Sequence, residues 1–95
     1  MKIYKGSFTK KTLLACLNEA EETGANYISV LIENSESPSS ELIVINRLYN
    51  FDYDRDYYDR AYNDDLTLKK NPDNISIVGF GYGNKLGELV RVMNE

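Results

Sequence analysis

Two neighbouring segments, residues 27–33 and 41–47, carry apolar side chains on both of their faces and so limit how the chain can fold. Both are rich in β-branched residues and are joined by the polar segment 34–40, which predicts an antiparallel hairpin with a long loop. Strands of this kind need cover on both faces. We therefore expect the second face of the sheet to be covered by the last helix or by a second copy of the chain.

The remaining periodic segments add two strands and three helices. Thr9 is a plausible N-cap for a helix that ends before Gly24. Asn50 can cap a second helix that extends to Lys69 and Lys70. The other predictions are strands at 1–5 and 75–80, a turn at 79–83 and a helix at 85–93.

The resulting order, β-α-β-β-α-β-α, predicts one α+β domain over residues 1–95. We expect a four-stranded sheet with helices on one face, in a ferredoxin-like or related two-layer sandwich. The pattern leaves the strand order open, and the first strand is short and mixed for a central strand.

Composition excludes several classes of protein. No apolar run approaches the roughly 20 residues of a membrane helix, and the start MKIYKGSF does not resemble a signal peptide. A lone cysteine, Cys16, cannot form an internal disulfide, which favours a cytoplasmic setting. The net charge of −4 disfavours direct nucleic-acid binding, and the absence of histidine removes the commonest general base.

The segment 49–65, YNFDYDRDYYDRAYNDD, holds five of the eight tyrosines and six of the fifteen acidic residues. Its six aspartates and two arginines sum to −4, which equals the net charge of the chain. On a helix this segment has two sides. The side expected to be buried contains Phe51, Tyr58, Ala61, Tyr62 and Leu66.

The opposite side is the candidate partner-binding site. We call it the contact surface, and it consists of Asp52, Tyr53, Asp56, Tyr57 and Asp59. Tyrosine offers a large contact area at low entropic cost, and spaced carboxylates can meet a cationic groove or mimic a phosphate backbone. A solvated amphipathic helix is the alternative interpretation.

A glycine-rich segment, GFGYGNK, is the candidate ligand-binding site. Glycines between a strand and a helix can bring backbone N–H groups to a phosphate. The residues concerned would be Gly81, Gly83, Asn84 and Lys85, although the third glycine is out of register with the dinucleotide-binding pattern. A flexible turn or a bulge is the alternative.

No catalytic residue, metal site or cofactor is predicted. Asp52, Asp56 and Asp59 could hold a divalent cation loosely, but the calcium-loop spacing is absent and a solvated acidic run is the expected state. Cys16 lies beside an apolar helix stripe with no histidine to activate it, so we assign it to packing.

The sequences YYDRAYNDDLTLK and ISIVGFGYG resemble those of small uncharacterised phage and prophage accessory proteins of Gram-positive bacteria. The resemblance covers mainly residues 47–83, and no functional residue is carried over from it. It implies a small, acidic, non-enzymatic protein that blocks a host enzyme by binding to it.

Three functions follow as hypotheses. The first is a non-enzymatic protein-interaction protein, of a phage type that inhibits a host nucleic-acid or defence enzyme, and a homodimer is expected from the two-sided strands. The second is a small-ligand or nucleotide-binding module that uses residues 79–85. The third is a structural subunit with no ligand.

Overall fold

A computed structural model describes residues 1–37, 39–46 and 51–95, apart from the side chains of residues 39, 46 and 51. The predictions for Arg47 and Asn50, and the predicted burial of Phe51, lie outside what it describes. The element order β-α-β-β-α-β-α is confirmed. The elements are β1 (Lys2–Lys5), α1 (Lys10–Thr23), β2 (Tyr27–Asn34), β3 (Ser39–Asn46), α2 (Phe51–Ala61), β4 (Ile75–Gly83) and α3 (Leu86–Met93).

Local sequence signals set the ends of α1. The Thr9 side chain accepts a hydrogen bond from the Thr12 N–H at 3.4 Å, as an N-cap residue does. Gly24 ends the helix at φ 74°, in the left-handed region that glycine adopts without a steric penalty. Both signals act within a few residues, which is why the sequence predicted them.

The four strands form one antiparallel sheet in the order β1-β4-β2-β3. The predicted β2–β3 hairpin is confirmed, with Tyr27 opposite Asn46 and Asn34 opposite Ser39. Strands β1 and β2 each pair antiparallel with β4, so they run parallel to each other on either side of it. The short β1 is an edge strand, and β4 and β2 lie at the centre of the sheet. The order of elements along the chain is that of a ferredoxin-like fold.

One face of the sheet packs against α1 and α2. Ile28, Val30 and Phe80 are buried there in the same core cluster as Leu13 of α1 and Tyr62 beyond α2. The Phe80 ring also stacks on Tyr4 at 5.0 Å between centroids. This arrangement is the expected layer of helices on a sheet.

The opposite face is covered by α3, so only α1 and α2 share the face that was expected to hold the helices. A Cβ placed on Gly79 would lie 3.5 Å from the Met93 side chain, on the face opposite to Phe80. Leu89 and Met93 are buried, and the Lys5 ammonium donates a hydrogen bond to the Val92 carbonyl at 2.8 Å. The two-sided β2 is therefore covered by the last helix, which was one of the two expected alternatives.

Helix α2 is shorter than predicted because local hydrogen bonds compete with the helix after Ala61. The Asp65 carboxylate accepts a hydrogen bond from the Thr67 N–H at 3.1 Å, which favours a turn. Leu66 has φ 67°, and Leu68 forms an isolated bridge with Tyr62. Tyr58, Tyr62 and Leu66 are nevertheless buried as predicted, whereas Lys69 and Lys70 lie beyond the helix.

The glycine-rich segment is not a turn but the second half of β4. A Cβ on Gly81 would lie 2.5 Å from the Lys2 carbonyl oxygen and 2.7 Å from Ile3 Cδ1. A glycine in a strand often marks such a close backbone approach. Glycine is therefore required here for the pairing of β1 with β4.

None of the described helices is both long enough and apolar enough to cross a bilayer.

Substituting Gly81 tests this close approach. We expect Gly81→Ala to lower the free energy of unfolding by about 1–3 kcal/mol, because the new methyl group overpacks the β1–β4 contact. The matched control is Gly87→Ala in α3, where a Cβ meets nothing within 4 Å. This control should raise stability by about 0.5 kcal/mol. Urea denaturation measures both, and equal stability of Gly81→Ala and wild type would contradict the close approach.

Candidate functional site

The five residues of the contact surface lie together on the solvent side of α2. Asp52, Tyr53, Asp56, Tyr57 and Asp59 are all exposed. Tyr53 keeps 67% of its surface exposed and Tyr57 keeps 41%, which makes both of them exposed large apolar side chains. The structure therefore brings the predicted residues onto one accessible side of a helix.

Each carboxylate of the contact surface is paired with a cation. Asp52 accepts a hydrogen bond from Arg55 at 2.9 Å, and Asp56 accepts one from Arg60 at 2.8 Å. Both pairs have the three- or four-residue spacing at which helix side chains meet. The contact surface is consequently closer to neutral than its count of aspartates suggests.

The third carboxylate, that of Asp59, is paired with Lys10 of α1 at 3.5 Å. The Lys10 ammonium also donates hydrogen bonds to the carbonyls of Asp59 and Tyr62, at 2.9 and 3.2 Å. Only 16% of this side chain is exposed. Lys10 thus holds the end of α2 against the start of α1, and sequence reasoning missed it because the two segments are far apart in the chain.

A groove of about 420 Å³ lies between α1 and α2. Across it, the Arg55 guanidinium donates a hydrogen bond to the Asn18 side-chain oxygen at 2.7 Å. The groove is lined by Leu14, Asn18, Asp52, Arg55, Asp56 and Asp59. The contact surface therefore has two parts, a groove with the three carboxylates and an adjacent pair of exposed tyrosines.

The Tyr57 ring is held by two buried tyrosines beneath it. Its centroid lies 5.3 Å from that of Tyr58 and 6.4 Å from that of Tyr62, both in edge-to-face geometry. Edge-to-face pairs add about 0.5–1.5 kcal/mol to the burial of the rings. A ring ordered before binding loses less entropy when a partner covers it.

Burial also changes the acidity of these groups. Desolvation raises the pKa of Tyr58 above its ordinary value of 10, and it raises the pKa of Tyr62 to about 12. The pKa of the half-buried Asp54 carboxyl is raised for the same reason. All three shifts reflect the loss of water around the inner side of α2.

The candidate ligand residues do not form a phosphate-binding loop. Gly81 and Gly83 are buried strand residues of β4, and Gly81 has a paired strand on each side. The N–H of Gly81 therefore faces a neighbouring strand and not a ligand. The Asn84 side-chain oxygen accepts a hydrogen bond from the Asn26 N–H at 3.2 Å, and Lys85 precedes α3 without a side-chain cap.

Cys16 is a packing residue, and the acidic groups of the described residues form no cluster of metal ligands. Cys16 is 1% exposed in the core, and burial, followed by the nearby Glu19 carboxylate, raises the pKa of its thiol to about 12. A thiol with such a pKa is a poor nucleophile at neutral pH. In residues 1–37, 39–46 and 51–95, no three acidic, cysteine or histidine side chains cluster as metal ligands would.

In comparisons with known proteins, no family model matches the chain, and neither a curated protein nor a solved structure does. Function is therefore inferred from the geometry of α2 and its surroundings.

The buried phenols predict a loss of stability at alkaline pH. The unfolded chain releases the protons of Tyr58 and Tyr62 near pH 10, whereas the folded protein retains them to higher pH. The free energy of unfolding should therefore be independent of these groups below pH 10 and fall as the pH rises towards 12. Each phenol contributes a slope of at most about 1.4 kcal/mol per pH unit.

Urea denaturation between pH 8 and pH 12 measures this slope. Tyr58→Phe removes one of the two phenols and should make the slope shallower, while the exposed-site control Tyr53→Phe should leave it close to that of wild type. If Tyr58→Phe leaves the slope unchanged, burial of the Tyr58 phenol is not the cause of the loss of stability at alkaline pH.

Proposed function

We propose that this chain is a non-enzymatic protein-interaction protein that binds a protein partner through the contact surface on α2. The observation that carries the proposal is the exposure of Tyr53 and Tyr57 beside three solvent-facing carboxylates. Exposed tyrosines on an ordered helix are typical of binding hot spots. Packing on Tyr58 and Tyr62 gives the Tyr57 ring a structural role, so the more exposed Tyr53 is the residue that a solvated helix explains least.

The charge pairs suggest how such a partner is recognised. The pairs of Asp52 with Arg55 and of Asp56 with Arg60 are largely exposed, and exposed pairs contribute only about 0–1 kcal/mol. Cationic side chains of a partner can therefore replace Arg55 and Arg60 at small cost. We expect the tyrosines to supply most of the affinity and the carboxylates to set the association rate and its salt dependence.

The narrower proposal is that the partner is a host enzyme that acts on nucleic acid or takes part in defence, and that binding inhibits it. Spaced carboxylates beside a groove can occupy a cationic site that ordinarily holds a phosphate backbone. The phage resemblance of residues 47–83 motivates the choice of partner. We place the protein in the cytoplasm, in keeping with its lone buried cysteine.

Reversal of three charges tests the proposal. Asp52→Lys, Asp56→Lys and Asp59→Lys together should weaken capture of the partner from a host lysate, because the introduced lysines repel the cationic site of the partner. The control variant, Glu21→Lys with Glu22→Lys and Glu95→Lys, changes exposed residues elsewhere and alters the net charge equally. Circular dichroism must show both variants folded, since Asp59 also contacts Lys10.

Capture that is equally strong for the two triple variants would contradict the proposal. It would then favour the structural subunit with no ligand, or binding through another surface.

Removing the exposed ring of Tyr53 tests whether this residue contributes to partner affinity without contributing to the stability of the fold. Tyr53→Ala should raise the dissociation constant for the captured partner about tenfold or more, which corresponds to about 1.4 kcal/mol. The free energy of unfolding should change by less than about 0.5 kcal/mol, because surface substitutions have small effects. Biolayer interferometry measures the dissociation constant and urea denaturation measures the free energy of unfolding. An unchanged dissociation constant would show that Tyr53 is not part of the contact surface.

The homodimer stays a prediction. Helix α3 already covers the second face over β2 and β4, so the two-sided strands no longer require a second copy there. The outer edge of β3 has no strand partner among the described residues and is where a second copy would pair. Light scattering at micromolar concentration decides between monomer and dimer.

A further inference from the structure

A second cleft, of about 280 Å³, lies on a different side of α2 from the groove. Three of its six lining residues are cationic and none is acidic, although the chain has a net charge of −4. The lining residues are Tyr57, Arg60, Ala61, Leu68, Lys69 and Lys70. We call this the cationic cleft.

The inner part of the cationic cleft is apolar and ordered. Ala61 and Leu68 are half-buried and pack against the hydrophobic core. The Tyr57 ring forms part of the wall, and its edge-to-face contacts with Tyr58 and Tyr62 hold it there. This wall offers an aromatic surface and an aliphatic surface to a ligand of about one ring in size.

Backbone hydrogen bonds on both sides fix the segment that carries Lys69 and Lys70. The Lys69 N–H donates a hydrogen bond to the Ala61 carbonyl at 2.9 Å, and the Leu68 N–H donates one to the Ile75 carbonyl at 2.9 Å. Residues 68–70 are thereby attached to both α2 and β4. The Arg60 Nε bonds to Asp56 at 2.8 Å, which holds the guanidinium at the rim of the cleft.

Stabilisation of the α2 C-terminus explains only part of this arrangement. Cations near the end of a helix interact favourably with its carbonyl groups, and this accounts for a lysine close to Ala61. It does not account for three cations around an apolar wall with an ordered aromatic ring. Such a combination is typical of sites that bind an anion with an apolar body.

We propose that the cationic cleft binds a small aromatic phosphate monoester. The ring of the ligand lies against Tyr57 and Leu68, and its phosphate dianion lies among Arg60, Lys69 and Lys70. Arg60, Lys69 and Lys70 carry three positive charges and the paired Asp56 carries one negative charge, so a dianion matches their net charge better than a monocarboxylate does. The site shares Tyr57 with the contact surface, whereas Lys69 and Lys70 belong to the cleft alone.

Phenyl phosphate is the probe for this site. In a ¹H–¹⁵N NMR titration we expect saturable shifts at the amides of Ala61, Leu68, Lys69 and Lys70. Inorganic phosphate lacks the ring and benzyl alcohol lacks the charge, so each should bind at least tenfold more weakly than phenyl phosphate.

Matched variants test which residues carry the binding. Lys69→Gln with Lys70→Gln should raise the dissociation constant of phenyl phosphate tenfold or more. The control, Lys11→Gln with Lys85→Gln, removes two exposed lysines elsewhere and should leave the constant within about twofold. Tyr57→Leu should abolish the preference for phenyl phosphate over inorganic phosphate while leaving phosphate binding in place.

Equal affinity of the two double-lysine variants would overturn the proposal, as would shifts that do not saturate or that spread over other lysines. The amide spectrum of each variant shows whether it is folded, and Arg60→Gln provides a second test of the cation requirement should the double variant unfold. The double variant of Lys69 and Lys70 should leave partner capture through Asp52 and Tyr53 unaffected, because neither lysine belongs to the contact surface. The two proposals therefore fail independently in this variant.

Discussion

Burial of β2 and β4 on both faces governs the arrangement of the helices in this fold. Ile28, Val30 and Phe80 face the core with α1 and α2, and the opposite face lies under α3, where Met93 reaches Gly79. Apolar strands of this kind are stable only when both faces are covered. The three helices are therefore fully used in packing, and only their outer sides remain for function.

Helix α2 shows how this packing leaves an ordered outer side. Tyr58 and Tyr62 are buried beneath it, and Lys10 joins its last turn to α1 through backbone carbonyls. These contacts hold the end of α2 against α1 and leave Tyr53 and Tyr57 on its outer side. Tyr57 also borders the cationic cleft, so one helix carries two candidate surfaces with different side chains.

Features that depend on nearby residues could be predicted from the sequence, and features that depend on distant residues could not. The Thr9 cap, the Gly24 stop and the β2–β3 hairpin are local and are confirmed. The strand order and the glycine-rich part of β4 depend on approaches such as that of Ile3 to Gly81. In the candidate site, the exposed side of α2 followed from helical periodicity, whereas pairing with Lys10 and the cationic cleft required the folded chain.

Site-specific photo-crosslinking in host cells tests the central claim, that the exposed side of α2 contacts a protein partner. A photoreactive phenylalanine at position 53 should give one dominant crosslinked host protein, while the same group at the exposed position 22 on α1 should not. We expect a specific band at 53 alone. No crosslink at 53, or the same bands from both positions, would contradict it.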